Sequence, residues 1–172
     1  MSFRIALPVL CALAATPAFA QEAYPKKIPA PGGEVIIPTE RQQRSYDEIK
    51  YAPARRVGDM LYVSGVIVGR APDEGTDPES FKKQVRRAFT ALDNLLKASG
   101  ASFDDVVMIN SFHVWEGPNQ PAPRLEQINM INAVKSEFIK GPNPAWTAVG
   151  TTGLLNPNGI VEIQLIARIP PK

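Results

Sequence analysis

Met60-Leu61-Tyr62-Val63-Ser64-Gly65-Val66-Ile67-Val68 is the stretch whose reading decides the fold. It is almost wholly apolar and rich in β-branched residues, the pattern of a strand buried on both faces rather than one. Gly65 breaks that run. A glycine inside a strand weakens it unless a bulge or a close approach requires the missing side chain, so something must lie near Gly65. Just upstream, Gly58-Asp59 is a tight-turn pair, preceded by Tyr51-Ala52-Pro53-Ala54-Arg55-Arg56-Val57. The two runs predict a hairpin closed at Gly58-Asp59.

Downstream, Asp77-Pro78 places an N-cap and a first-turn proline ahead of an amphipathic helix that Gly100 closes. Phe81, Val85, Ala88, Phe89, Leu92, Leu95 and Leu96 recur at three- and four-residue steps, so one helix face covers a sheet. Lys82, Lys83, Arg86, Arg87 and Lys97 mark the other faces and read as an ordinary solvated surface. Val106 to Trp115 follows as a strand, Pro123 to Phe138 as a second amphipathic helix, and Trp146 to Leu154 as a third core strand. Asn156-Pro157-Asn158-Gly159 then predicts a hairpin turn into Ile160 to Ile169. The order is ββαβαββ, an α+β fold with two helices packed on one face of the sheet.

Upstream, residues 21–45 carry Pro25, Pro29, Pro31, Pro38 and Gly32-Gly33, which disfavour helix and central strand and suggest an extended lead-in. Only Glu34 to Ile37 has the character of a short edge strand. Residues 1–20 read as a signal peptide: Arg4 gives a positive start, Ile5 to Ala15 is apolar, and Ala18-Phe19-Ala20 supplies a small-x-small cleavage site. That apolar run is shorter than the ~20 residues that span a bilayer, so no stable membrane anchor is expected. Leu10 is bulky where lipid attachment at Cys11 would need a small residue. Cleavage after Ala20 is therefore predicted, with a periplasmic or secreted product whose folded domain is 46–172.

The composition excludes several chemistries. One Cys and one His leave no ligand set for zinc, and cleavage would remove the cysteine with any thiol nucleophile. No metal or cofactor is expected. Nineteen basic against seventeen acidic side chains give +2, too near neutral for phosphate-driven nucleic-acid binding. His113, in a strand between Phe112 and Val114, has no carboxylate at strand or helix spacing to orient it, and reads as a packed structural residue. Asp104-Asp105 reads as an acidic turn, because adjacent side chains point apart. Nucleophile-elbow, phosphate-loop and dinucleotide motifs are absent from the sequence.

Four pieces together carry a resemblance: Gly58-Asp59-Met60-Leu61-Tyr62-Val63-Ser64-Gly65; Ala91-Leu92-Asp93-Asn94-Leu95-Leu96 with Ser99-Gly100; Pro144-Ala145; and Val161-Glu162-Ile163-Gln164-Leu165-Ile166-Ala167. In this order and spacing the chain resembles the reactive-intermediate deaminase (Rid, or YjgF) family from about Tyr51 to Ile169. The resemblance implies a chorismate-mutase-like fold, a homotrimer, and ligand clefts between neighbouring subunits in which deaminase members hydrolyse enamines and imines. It matches Tyr51 to a pocket tyrosine, Ser64-Gly65 to the start of a Ser-Gly-Gln segment and Asn132 to a polar helix position.

Three positions depart from that pattern. Val66 replaces the glutamine of the segment, Trp146 stands where Pro-Ala precedes the substrate-binding arginine, and Gln164 stands where a glutamate handles the water. An indole cannot grip a carboxylate with two charge-assisted hydrogen bonds, and an amide cannot exchange a proton. Glu162, two residues back on the same strand face, is the candidate replacement acid, against a plain surface role. Trp146, with Thr147 beside it, offers an aromatic ligand contact or fills space. The leading expectation is a trimer that binds a small organic ligand at Tyr51, Ser64, Gly65, Val66, Asn132, Trp146, Thr147 and Gln164 without the standard deaminase apparatus. The alternative is a deaminase with compensating residues. The ribonuclease or translation-inhibitor role attached to some relatives lacks its electrostatic footprint here.

Overall fold

The computed structural model describes residues 23–169, so the signal peptide expected over 1–20 lies outside the described residues. Seven strands form one mixed sheet: β1 (Lys26–Ala30), β2 (Gly33–Ile37), β3 (Ala54–Val57), β4 (Met60–Gly69), β5 (Val106–His113), β6 (Ala145–Gly150) and β7 (Gly159–Arg168). Three α-helices accompany them among the described residues: α1 (Glu40–Ile49), α2 (Pro78–Ala98) and α3 (Arg124–Phe138). In space the strands run β1-β2-β3-β4-β7-β5-β6. The α+β class stands.

The hairpin forms as the sequence predicts, but β4 is buried on one face and not on both: Leu61, Val63 and Val68 are buried while Tyr62 is exposed on the opposite face. β3 pairs antiparallel with β4 across Gly58, whose φ of +58° is a turn conformation that a side chain disfavours. Asp77 caps α2 by accepting the N–H groups of Glu79 and Ser80, with Pro78 in the first turn. The predicted apolar stripe of α2, Phe81 to Leu96, is buried against Leu61, Val63, Ile163 and Leu165 of the sheet. On the outer faces of α2, Lys82, Arg86, Arg87 and Lys97 each pair with a carboxylate.

Three expectations are corrected. The region 21–45 is more structured than an extended lead-in: Pro31-Gly32 turns β1 into β2, and Pro29 is tolerated because β1 is the sheet edge. β2 then lies inside the sheet, with Ile36 and Ile37 fully buried, and a third helix, α1, follows. Residues 146–154 are not a core strand. β6 ends at Gly150, lies at the opposite edge and is largely exposed. Nor does Asn156-Pro157-Asn158-Gly159 close a hairpin, because β6 pairs parallel with β5, which stands between it and β7. A parallel neighbour needs a crossover, here through α3, and the Asn-Gly loop only leads the chain back to β7.

Candidate functional site

Gly65 meets both conditions that its position implied. The β4–β7 register steps from Val63↔Leu165 to Val66↔Ile163, so Ser64 and Gly65 together face Gln164, a β-bulge. A Cβ on Gly65 would lie 1.9 Å from Glu162 Oε1, so the Glu162 side chain occupies the space that glycine leaves. Ser64 is committed to the scaffold: its hydroxyl donates to the Ala52 carbonyl at 2.6 Å and its N–H to that of Pro53. These bonds tie the segment bearing Tyr51 to the bulge. Asn110 Nδ2 reaches Gln164 Oε1 at 3.4 Å, and Thr147 pairs with Asn110 across β5 and β6. Ser64, Gly65, Glu162, Gln164 and Thr147 thus share one district of the sheet.

An open cleft of about 640 Å³ adjoins the bulge. β3 accompanies β4 only over Met60–Val63, so the second half of β4 is a free edge on that side. Gly65, Val66 and Ile67 form the floor, Gln84, Ala88 and Leu95 of α2 one wall, and Thr39, Arg41 and Gln42 of the α1 start another. Tyr51 and Asn156 also line it. The lining holds two arginines and no carboxylate. Arg87 is already engaged, its guanidinium bound to both oxygens of Glu74 and to the Gly69 carbonyl, and it holds the Glu74 carboxyl down at about 2. Gln84 is 1% exposed and its Oε1 has no partner.

Trp146 lies on the sheet face opposite Gln164 and Thr147, the face that the helices cover. It pairs with Ile109, turns towards the helices and donates its Nε1–H to Ser111 Oγ at 2.8 Å. The Lys135 ammonium sits 4.7 Å over its ring, and burial holds that amine below the ordinary lysine range. Ser111 is also 2.8 Å from His113 Nε2, while Gln127 Oε1 is 2.7 Å from His113 Nδ1. With the amide oxygen facing it, Nδ1 carries the ring proton and Nε2 accepts from Ser111. His113 is fully buried and stacks on Trp115 at 4.0 Å. Burial lowers its pKa, partly offset by Gln127. The structural reading of His113 fits, and the partners that the sequence concealed are Ser111 and Gln127.

Of the sequence-predicted residues, Tyr51, Gly65 and Val66 line the cleft, and Ser64, Glu162, Gln164 and Thr147 lie about the bulge or in its row across the sheet. Asn132, half-buried on α3, and Trp146 are not among the residues lining the cleft. Arg41, Gln84 and Asn110 were missed. Arg41 had a readable signal: Thr39-x-x-Gln42 is a capping pattern, and Thr39 Oγ1 does accept the Gln42 N–H. Among the described residues there is no cluster of three or more His, Cys, Asp or Glu side chains fit for a metal, and no helix long and apolar enough to cross a membrane.

Comparison with known proteins agrees with this architecture. The family model Endoribonuclease L-PSP matches residues 42–169. RutC family protein YjgH of Escherichia coli is 42% identical over 126 residues, 73% of this chain and 87% of that protein. The 2-iminobutanoate/2-iminopropanoate deaminase of Dermatophagoides farinae is 31% identical over 119 residues, 69% of this chain and 85% of its own. Among solved structures, protein YjgH superposes with a TM-score of 0.57 at 38% identity, covering 74% of this chain and 89% of that one. RidA from an Antarctic Psychrobacter gives 0.53 at 29%, covering 69% and 88%.

Proposed function

This chain belongs to the Rid/YjgF family, and from that premise we propose that it is an exported homotrimer that binds a small organic ligand in its intersubunit clefts, without the standard imine deaminase apparatus. The cleft beside the bulge carries the reading. Tyr51, Gly65 and Val66 line it, yet the group opposite the bulge is Gln164, whose amide has no proton to exchange with water. Trp146 supplies no guanidinium, and its indole N–H is spent on Ser111. Tyr62, Phe112 and Val149, exposed on the sheet face away from the helices, are apolar surface that neighbouring copies would cover.

The test is turnover of 2-iminopropanoate, generated in place and followed by its decay, with a family member that retains the arginine as reference. The expected result is no acceleration by this protein, together with a trimer mass by analytical ultracentrifugation. Hydrolysis at the reference rate overturns the reading.

One observation favours a second reading, an imine deaminase with a relocated acid. The Glu162 carboxylate makes no hydrogen bond among the described residues and lies against Gly65, beside the cleft. The 31% identity to a 2-iminobutanoate/2-iminopropanoate deaminase supports the same class. This reading requires turnover that disappears in Glu162→Gln. Turnover that survives the substitution leaves it without an acid.

A further inference from the structure

Resting on the ligand-binding reading above, we propose that Arg41 of α1 is the specificity residue of the cleft, pairing with an anionic group on the ligand, and that Gln84 receives a hydrogen-bond donor of the same ligand. Two arginines line the cleft, and they are not equivalent. Arg87 is bound through both terminal nitrogens to Glu74, so its charge is neutralised before any ligand arrives. The Arg41 guanidinium has no hydrogen bond or ion pair among the described residues. It stands in the first turn of α1, where the unsatisfied N–H groups of the helix also favour a negative charge.

The second observation is independent of charge. Gln84 is almost wholly buried and its Nε2 donates to the Gly75 carbonyl, which fixes the amide with Oε1 unpartnered. A buried acceptor left unmade costs free energy that a ligand N–H or O–H recovers on binding. The same lining also holds Val66, Ile67, Ala88, Ala91 and Leu95, an apolar share. The cleft therefore fits a small aliphatic molecule with an oxyanion, a carboxylate above all, and a hydroxyl or amine donor. Such a ligand is held from α1 and α2, not from β6.

Three probes separate these features on the intact protein by calorimetry: 2-hydroxy-4-methylpentanoate, the same acid without the hydroxyl, and its uncharged primary amide. The hydroxy acid should bind tightest, and more weakly as salt is added. Arg41→Gln should weaken both acids about tenfold, equivalent to about 1.4 kcal/mol, and leave the amide unchanged. Gln84→Met should weaken the hydroxy acid and the amide, leaving the deoxy acid unchanged. An amide that binds the native protein as well as the acid, or an Arg41→Gln variant that loses all three equally, overturns the assignment while the ligand-binding reading survives. No binding of any probe at millimolar concentration overturns both.

Discussion

Two polar regions flank the same sheet, and they handle their hydrogen bonds in opposite ways. Under α3, beside β5 and β6, Trp146, Ser111, His113 and Gln127 form one chain in which each donor meets an acceptor, and only Gln127 Nε2 is left over. At the free edge of β4, by contrast, the Arg41 guanidinium has no ion pair and Gln84 Oε1 no hydrogen bond among the described residues. A buried network that satisfies itself fixes structure and has nothing left to offer a ligand. A concave site with convergent unmade bonds is the better place to look for binding.

The sharpest way to break this contrast is Ser111→Ala. The substitution orphans the His113 Nε2 acceptor, which is buried, at about 1–3 kcal/mol, and the half-buried Trp146 Nε1–H at less. Urea unfolding should show a lower midpoint with an unchanged slope, while affinity for any cleft ligand holds. A loss under about 0.5 kcal/mol would put Ser111 in the class of ordinary surface positions and dissolve the closed network.

Gly65→Ala tests the other region and should cost somewhat less. The new Cβ meets Glu162 Oε1 at 1.9 Å and the Glu162 Cδ and Cγ at 2.6 Å. These atoms belong to a flexible side chain, so the strain is relieved by swinging Glu162 away, at about 1–3 kcal/mol. Thermal unfolding of Gly65→Ala with and without Glu162→Ala measures it: the double variant should recover most of the loss. If the second substitution recovers nothing, the glycine is needed for the bulge backbone and not for the approach of Glu162.

The sequence disclosed the centre of the fold better than its margins. Met60 to Val68 announced the central strand, though its outer face is exposed at Tyr62, and its one glycine announced the bulge and the close neighbour, because both follow from backbone sterics within the strand. Pro31-Gly32 misled through its local chemistry. Proline and glycine disfavour an interior strand, but the same pair makes the turn that joins β1 to β2. Asn158-Gly159 misled for a non-local reason, since the partner of β6 is chosen by the α3 crossover and not by the turn that follows. At the site, Tyr51, Gly65 and Val66 were legible from the family resemblance. Arg41 could have been reached through the Thr39-x-x-Gln42 cap, which marks a helix start but not a cleft, and Gln84 could not, because a cleft made by two helices across a free strand edge leaves no spacing in the sequence.

The smallest effect expected is a pH dependence that belongs to the closed region alone. Burial lowers the His113 pKa below 6.5, so the folded state disfavours the imidazolium while the unfolded chain accepts the proton freely. As pH falls through about 6.5, the unfolded state binds more protons and stability drops, by up to about 1.4 kcal/mol per pH unit until the folded value is passed. His113 is the only histidine and carboxylates titrate lower, so the interval from about pH 6.5 to 5 isolates it. Protonation has a structural cost that burial alone does not describe. Nε2 would become a donor towards Ser111 Oγ, already receiving the Trp146 N–H, and the serine hydroxyl would have to turn to the Thr147 carbonyl at 3.4 Å, a poor bond. Unfolding curves at several pH values should slope for the native protein and be flat over that interval for His113→Gln, whatever that variant's absolute stability. A native protein equally stable at pH 5 and 7 would mean that the cluster takes up the proton at no cost, and the two regions would no longer differ in kind.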